Sequence, residues 1–357
     1  PQASPRATRR GSTKPPGGGR NRGHSTAGQL PEQHDRALKA VRNFLHARTS
    51  YDVFPVSFRI IILDNKLEIK KALHVLLANS VVSAPLWDGD NARFAGMFTV
   101  QDIIHLIQYY YLHSGDTSLE EVTQDVEQFQ LLSLRDIERE LNVPTPPLIS
   151  ISPLQSLWKA CELLIGTHAR RLPLIEEQPT GEEVILSVLT QYRALKAIST
   201  NVKEIRHLKR SLRSLGIGTY INPTADNPFA PIYTAQLNTT VFEVVHLFSE
   251  KGISAVPIID SEGIVINLYE TVDVITLVRL GAYQSLDLTI SAALKQRPAD
   301  FPGVITCTPG DSLASLLLLI QQRRVHRLVV VEGAEGRKGR LVGIITLSDI
   351  LRYLIGD

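Results

Sequence analysis

One outline recurs four times along this chain, and a chain of repeats must solve the same packing problem each time. The outline is clearest in four short apolar runs: VVSAPLWD (Val81 to Asp88), ARRLPLIE (Ala169 to Glu176), ISAVPIID (Ile253 to Asp260) and VHRLVVVE (Val325 to Glu332). Each opens on small or basic residues and closes on an acid. Downstream of each, a second run stops at a charged position: FAGMFTVQD at Asp102, VILSVLTQYR at Arg193, GIVINLYETVD at Asp273 and RLVGIITLSD at Asp349. Helical periodicity follows every time. Upstream, each unit reads as strand, turn and amphipathic helix; in the last, Leu313, Leu316, Leu317 and Ile320 fall at i, i+3, i+4 and i+7. The unit is β-α-β-β-α, of roughly 55–65 residues. The four charged positions lie 91, 80 and 76 residues apart, as tandem units with variable linkers require. Alone, one unit exposes an apolar sheet face, so the units should pair.

The expected organisation is an α/β chain of four repeats over 41–115, 130–200, 205–282 and 286–357, preceded by a disordered tail over 1–35. Between Pro1 and Pro31 there are six Lys/Arg and no acid, among many Pro, Gly and Ser, with little to bury. The remaining 32 bases face 36 acids, a balance unsuited to wrapping nucleic acid. No apolar run approaches the roughly 20 residues of a membrane span. Cys161 and Cys307 show no metal spacing, and a lone pair in so long a chain suggests a reducing setting, cytoplasm or nucleus. Nucleophile elbows, phosphate loops with their lysine, and His-Glu-x-x-His are missing, so catalysis is not expected.

The charged positions carry the chemistry. A helix N-terminus offers unpaired N–H groups and a positive dipole end, suited to a carboxylate or a phosphate. Asp349 stands there, and a carboxylate can accept both vicinal hydroxyls of a ribose. Thr346 and Ser348 add short donors that reach a phosphate without crowding it. His326 and Arg327 open the neighbouring strand, and arginine grips phosphate bidentately. The plain alternative is that these are helix caps, since such an Asp stabilises a first turn by about 0.3–1 kcal/mol with no ligand. Asp102, Asp273 and Asp349 at one position of the repeat, with basic residues at strand starts, favour the nucleoside-phosphate reading. The repeats also differ. Arg193 has no acceptor for ribose hydroxyls, so the second site should hold no nucleotide and Arg193 should make structural ion pairs. In the third, Glu270 replaces the Thr of the others and brings negative charge toward a phosphate position.

The β-α-β-β-α unit with Thr/Ser-x-x-Asp opening its last helix resembles the CBS (cystathionine beta-synthase) domain. Such units pair into Bateman modules, and four form a disc around a central nucleotide cavity. SAPLWD, LTQYR, GIGTY, VHRLVVV and TLSDIL are similar to the gamma regulatory subunits of the AMP-activated (sucrose-non-fermenting) protein kinase family, the fungal form most of all, over about Val41 to Gly356. The resemblance implies a non-catalytic subunit that binds AMP, ADP or ATP competitively and partners a catalytic alpha and a scaffolding beta subunit. It implies ribose contacts at Asp349 and phosphate contacts at Thr346 and Ser348, with Ser254 and Thr219 nearby and a positive ring of Arg170, Arg171, His326 and Arg327. Val82 and Tyr192 stand where animal gamma subunits carry arginine and lysine, which weakens the first site most and the third somewhat. The fourth site is expected to be well occupied, with Asp273 second choice. A scaffold using nucleotide only as a structural cofactor is the alternative. LRDIERELNVP (Leu134 to Pro144) and KRSLRSLGIGTY (Lys209 to Tyr220) look like short helices with solvated charges leading into the second and third repeats.

Overall fold

A computed structural model describes residues 26–54, 59–79, 81–113, 129–222, 224–225, 227–279, 287–297, 303–333 and 339–356. The tail expected to be disordered lies outside these residues up to position 25. Helix α1 (Thr26–Ala47) begins inside the span expected as tail. His34, Ala37, Val41 and Leu45 are buried at spacings that share one helical face. That face packs into the core of the second and fourth repeats, although Val41 had been assigned to the first.

The four units follow in order. The first is β1 (Leu63–Asp64), α2 (Ile69–Ala78), β2 (Ser83–Asp88), β3 (Arg93–Thr99) and α3 (Val100–His113). Helix α4 (Leu134–Glu140) leads to α5 (Leu157–Gly166), β4 (Arg171–Glu177), β5 (Glu183–Thr190) and α6 (Gln191–Asn201). Strand β6 (Thr219–Tyr220) precedes α7 (Val241–Glu250), β7 (Ala255–Ile259), β8 (Val265–Glu270) and α8 (Thr271–Arg279). After α9 (Ile290–Leu294) come β9 (Thr306–Cys307), α10 (Leu313–Gln322), β10 (Arg327–Val331), β11 (Leu341–Thr346) and α11 (Leu347–Ile355). The stretch before β6 forms turns where a helix was expected.

Pairing is the same in all four. Leu63 runs parallel to Leu86, Ile151 to Leu174, Ala235 to Ile258 and Thr306 to Val329, which the intervening helix makes possible. Each hairpin is antiparallel, and each slips register three residues into its first strand, at Leu86/Trp87, Leu174/Ile175, Ile258/Ile259 and Val330/Val331. A bulge adds local twist, so one bend is built into every unit.

Two kinds of contact close the ring. Strands join the first unit to the second through Phe94, Ile175 and Ile185, and the third to the fourth through Ala255, Ile259, Val329 and Leu341. Helices join the first to the third, α3 against α7 and α8, and the second to the fourth, α10 against α6 and α11 against α5 and α6. Leu313, Leu317 and Ile320 of α10 are wholly buried there, each contributing about 1.5–3 kcal/mol. The result is the expected disc of two modules.

Candidate functional site

Register and capping together place the site. Each hairpin pairs the first residue of one strand with the last residue of the next: Ser83 with Thr99, Arg171 with Thr190, Ala255 with Glu270 and Arg327 with Thr346. The last residue stands at the start of the following helix. A strand start is therefore forced against a helix N-terminus in every unit, and the polar residues that cluster in the sequence cluster in space.

In the fourth unit Thr346 and Asp349 form a capping box. The Thr346 hydroxyl accepts from the Asp349 N–H at 3.2 Å, while Asp349 Oδ2 accepts from the Thr346 N–H and hydroxyl, both at 2.8 Å. Leu347, Ile350, Leu351, Leu354 and Ile355 fill the apolar face of α11, and Gly356 ends it at φ +83°. The carboxylates of the first and third units cap in the same way. Asp102 Oδ2 accepts from the N–H and hydroxyl of Thr99 at 2.7 Å, and Asp273 Oδ2 from the Glu270 N–H at 2.7 Å. The capping role is thus real at all three positions.

The remaining oxygen distinguishes them. Arg135 of α4 donates to Asp102 Oδ1 at 3.2 Å and also to Glu138 and to the Met97 carbonyl. Arg297, after α9, donates to Asp273 Oδ1 at 2.7 Å and Oδ2 at 2.6 Å, to Asn267 and to the Leu268 carbonyl. Among the described residues, the one cation against Asp349 is Arg352, at 3.9 Å, on its own helix. Its side chain is 22% exposed, against 4% for Asp102 and 10% for Asp273. One of the three carboxylates therefore keeps an oxygen turned toward solvent. Burial pushes the Asp102 and Asp273 carboxyls above the ordinary range, working against the arginines that pair with them. Burial also opposes the ionisation of Glu138, but hydrogen bonds from His105 and Arg135 hold it low. The charges of the LRDIERE helix, expected to be solvated, include this inward pair, because Leu134 and Ile137 turn the same face to the core.

Around the fourth site the cations gather. Arg327 Nε lies 2.7 Å from Glu270 Oε1 in a close ion pair whose angle falls short of a hydrogen bond, and its Nη1 donates to the buried Ser254 hydroxyl at 3.1 Å. Glu270 does bring its charge here, and spends it on Arg327. The side chains of Arg170, Arg171, Arg324 and His326 make no hydrogen bond or ion pair among the described residues. Arg170 and His326 touch solvent yet are walled in by protein on most sides, as groups lining a concavity are. Burial, then Arg327, brings Arg170 down to about 10; burial, then Arg170 and Arg324, does the same to Arg171. Burial and four neighbouring arginines lower His326 to about 4. Glu270 offsets the charge of Arg170 and, together with Asp273, that of Arg327.

The other expected residues are placed nearby. Ser348 donates to Gln191 Oε1 at 3.0 Å, tying the start of α11 to the start of α6. Thr219 is exposed on β6, paired with Ile344 two residues before Thr346. That approach needs Gly218, at φ +97°, where a Cβ would sit 2.8 Å from the Ile344 carbonyl. Arg193 makes no ion pair among the described residues, contrary to expectation; its Nη1 donates to the Val188 carbonyl at 3.0 Å and to Ser187, because the strand end it folds back over offers carbonyls and no carboxylate. Sequence reasoning missed Arg135, Arg297, Arg324 and Gln191. Arg135 and Arg297 do the same job from different offsets in irregular linkers, and Arg324 was hidden by the His326–Arg327 pair beside it.

Comparison with known proteins gives one answer. The CBS domain family matches residues 228–279 and 300–356, the third and fourth units. The chain is 44% identical to the 5'-AMP-activated protein kinase subunit gamma of Kluyveromyces lactis, over 89% of this chain and 92% of that one. It is 42% identical to that of Saccharomyces cerevisiae, covering 89% and 94%, and 35% identical to human subunit gamma-3, covering 87% and 60%. Among solved structures, a Methanocaldococcus jannaschii protein proposed as an archaeal homolog of gamma-AMPK superposes with a TM-score of 0.62 at 15% identity, over 86% of this chain and 99% of that one. That likeness supports the fold.

Proposed function

The chain belongs to the family of 5'-AMP-activated protein kinase gamma subunits, and from that premise we propose that it is a non-catalytic regulatory subunit that holds one adenine nucleotide at its fourth repeat. Asp349 accepts the ribose hydroxyls, Thr346 and Ser348 face the α-phosphate, and the cations of the central concavity take the remaining charge. The observation that carries this reading is the free side of Asp349: among the described residues, it alone of three equivalent carboxylates has no linker arginine laid across it. The first and third sites are weaker because a ribose would have to share Asp102 with Arg135, and Asp273 with Arg297. AMP, ADP and ATP compete, and catalytic and scaffolding subunits assemble around the disc, in the cytoplasm and nucleus.

A ligand shifts a kinase between states only through its differential affinity for them. The test is the activity of the assembled kinase, and its rate of inactivation by phosphatase, under saturating AMP and then saturating ATP. A difference that disappears in Asp349→Ala supports sensing. Identical activity with a raised unfolding temperature under both ligands would leave nucleotide as a structural cofactor of a scaffold.

A further inference from the structure

Among the described residues, two side-chain hydrogen bonds leave helix α1, and both reach the last turn of α11. His34 Nε2 lies 2.6 Å from the Tyr353 hydroxyl. Arg42 Nε donates to the Leu354 carbonyl at 3.1 Å, one of the acceptors that a helix C-terminus leaves open. Ala37, Val41 and Leu45 supply the apolar part of the grip. The other end of α11 carries Ser348 and Asp349 under the Thr346 cap, so α1 clasps the helix of the fourth site from behind.

One protonation state of His34 suits this place. The residue is 1% exposed, and its Nδ1 is buried with no hydrogen-bond partner among the described residues. The tautomer that leaves no buried N–H unpaired carries its proton on Nε2 and donates it to Tyr353, with a bare Nδ1 turned inward. A second proton would have to sit on Nδ1. It would make an N–H with nothing to donate to and a positive charge cut off from water, and both are unfavourable. Arg210, in the linker before β6, opposes that proton as well, while Asp35, exposed at the next position of α1, favours it. Burial, then Arg210, holds His34 below its ordinary 6.5. Burial also pushes the Tyr353 hydroxyl up, so it stays protonated. From the turn Lys203–His207, Glu204 and His207 face Gln33, Arg36 and Ala37 across a cavity of about 300 Å³. His207 Nε2 accepts from Arg206 Nε at 3.1 Å, and His46, near the far end of α1, stacks on Trp158. Helices α5 and α6 also pack on α1 and bring no charge to bear on His34 among the described residues.

We propose that His34 makes α1 a pH-sensitive clasp on α11: with a neutral ring the helix is held, and with an imidazolium it lets go. Once released, His34 meets water and titrates at its ordinary value, so acid favours the open form. The hold is complete above about pH 6.5 and is lost as pH falls through the lowered value of the closed form. The clasp does not depend on the function proposed above, since none of its contacts touches a nucleotide.

The experiment uses the full chain. Backbone hydrogen exchange over 33–45 is followed from pH 7.5 to pH 5.5, corrected for the intrinsic effect of pH and referred to α7, which lies in the other core. The main variant is His34→Gln, whose amide can still donate to Tyr353 but cannot titrate. Wild-type α1 should open several-fold more at the lower pH, with a ceiling of about tenfold set by a released histidine. His34→Gln should show no such change. His207→Gln and His46→Gln, the controls for the other imidazoles at α1, should open as wild type does. An NMR titration of His34 in the wild-type chain needs no variant: a value below 6.5 supports the clasp, and one at or above 6.5 overturns it. An α1 whose exchange ignores pH, an acid-induced opening that survives His34→Gln, or one that vanishes in either control overturns it too.

Discussion

Removing one carboxylate should loosen the ligand-free protein and tighten its grip on anions together. Glu270→Gln takes away the charge 2.7 Å from Arg327 and keeps the shape. Breaking a buried ion pair by neutralising one partner costs about 3–5 kcal/mol. Here both side chains keep some solvent, 13% for Arg327 and 12% for Glu270, and screening brings the expected loss to about 2–4 kcal/mol. It should not be smaller, because Arg327 is left facing Arg170 and His326 with Asp273, whose charge Arg297 already pairs, as the remaining nearby acid. The same uncovered charge then favours phosphate, so AMP should bind the variant several-fold more tightly. Urea unfolding of wild type and variant, each with and without saturating AMP, gives both numbers from one set of curves. The predicted pattern is a lower midpoint without ligand and a larger AMP-induced rise than in wild type. A variant as stable as wild type, or one that gains no extra stabilisation from AMP, would refute the electrostatic account of the cavity.

Arg135→Ala leaves Asp102 and Glu138 buried without their shared cation, and should cost about 3 kcal/mol in chemical denaturation while leaving AMP affinity at the fourth site within twofold. His326 has a folded pKa of about 4 against 6.5 unfolded, so its contribution to stability is complete above pH 6.5 and is lost as pH falls toward 4. A bound phosphate raises that folded pKa; between pH 5.5 and 6.5 AMP binding should then take up protons, read as a buffer-dependent calorimetric enthalpy that shrinks in His326→Gln. Cys161 and Cys307 are buried thiols pushed up to about 12, so neither should react with iodoacetamide at pH 8 until the protein is unfolded.

Much of the fold could be read because a repeat tests its own interpretation. The polar step of Thr or Glu followed three residues later by Asp or Arg, the Pro or Val in mid-strand and the closing acid recur at matching positions, and the structure returns them with the same register and the same bulge. That Asp349, Thr346 and Arg327 come together could be read from the sequence because hairpin register and helix capping are short-range rules; Ser254 was named from the family resemblance instead. What decides among the three carboxylates is long-range. Arg135 is 33 residues from Asp102 and Arg297 is 24 residues from Asp273, each in a linker with no periodicity, so nothing local links the pair. Arg193 misled for a related reason: its type excludes ribose, but only the folded strand end shows that carbonyls satisfy it. Helix α1 was missed because Pro31 and the basic composition before it resemble the tail, while its buried face of His34, Ala37, Val41 and Leu45 has meaning only against the second and fourth units.

The central claim is that one carboxylate of three is free to hold a ribose. Titrating the purified full chain with AMP by calorimetry, with ATP as competitor and with Asp349→Ala in parallel, tests it most directly. The account predicts one AMP per chain, displaced by ATP, and at least tenfold weaker in the variant, since each charge-assisted hydrogen bond lost contributes roughly 1.5–3 kcal/mol. No heat of binding in a protein shown to be folded, or AMP affinity that survives Asp349→Ala unchanged, would contradict it and return Asp349 to the role of a helix cap.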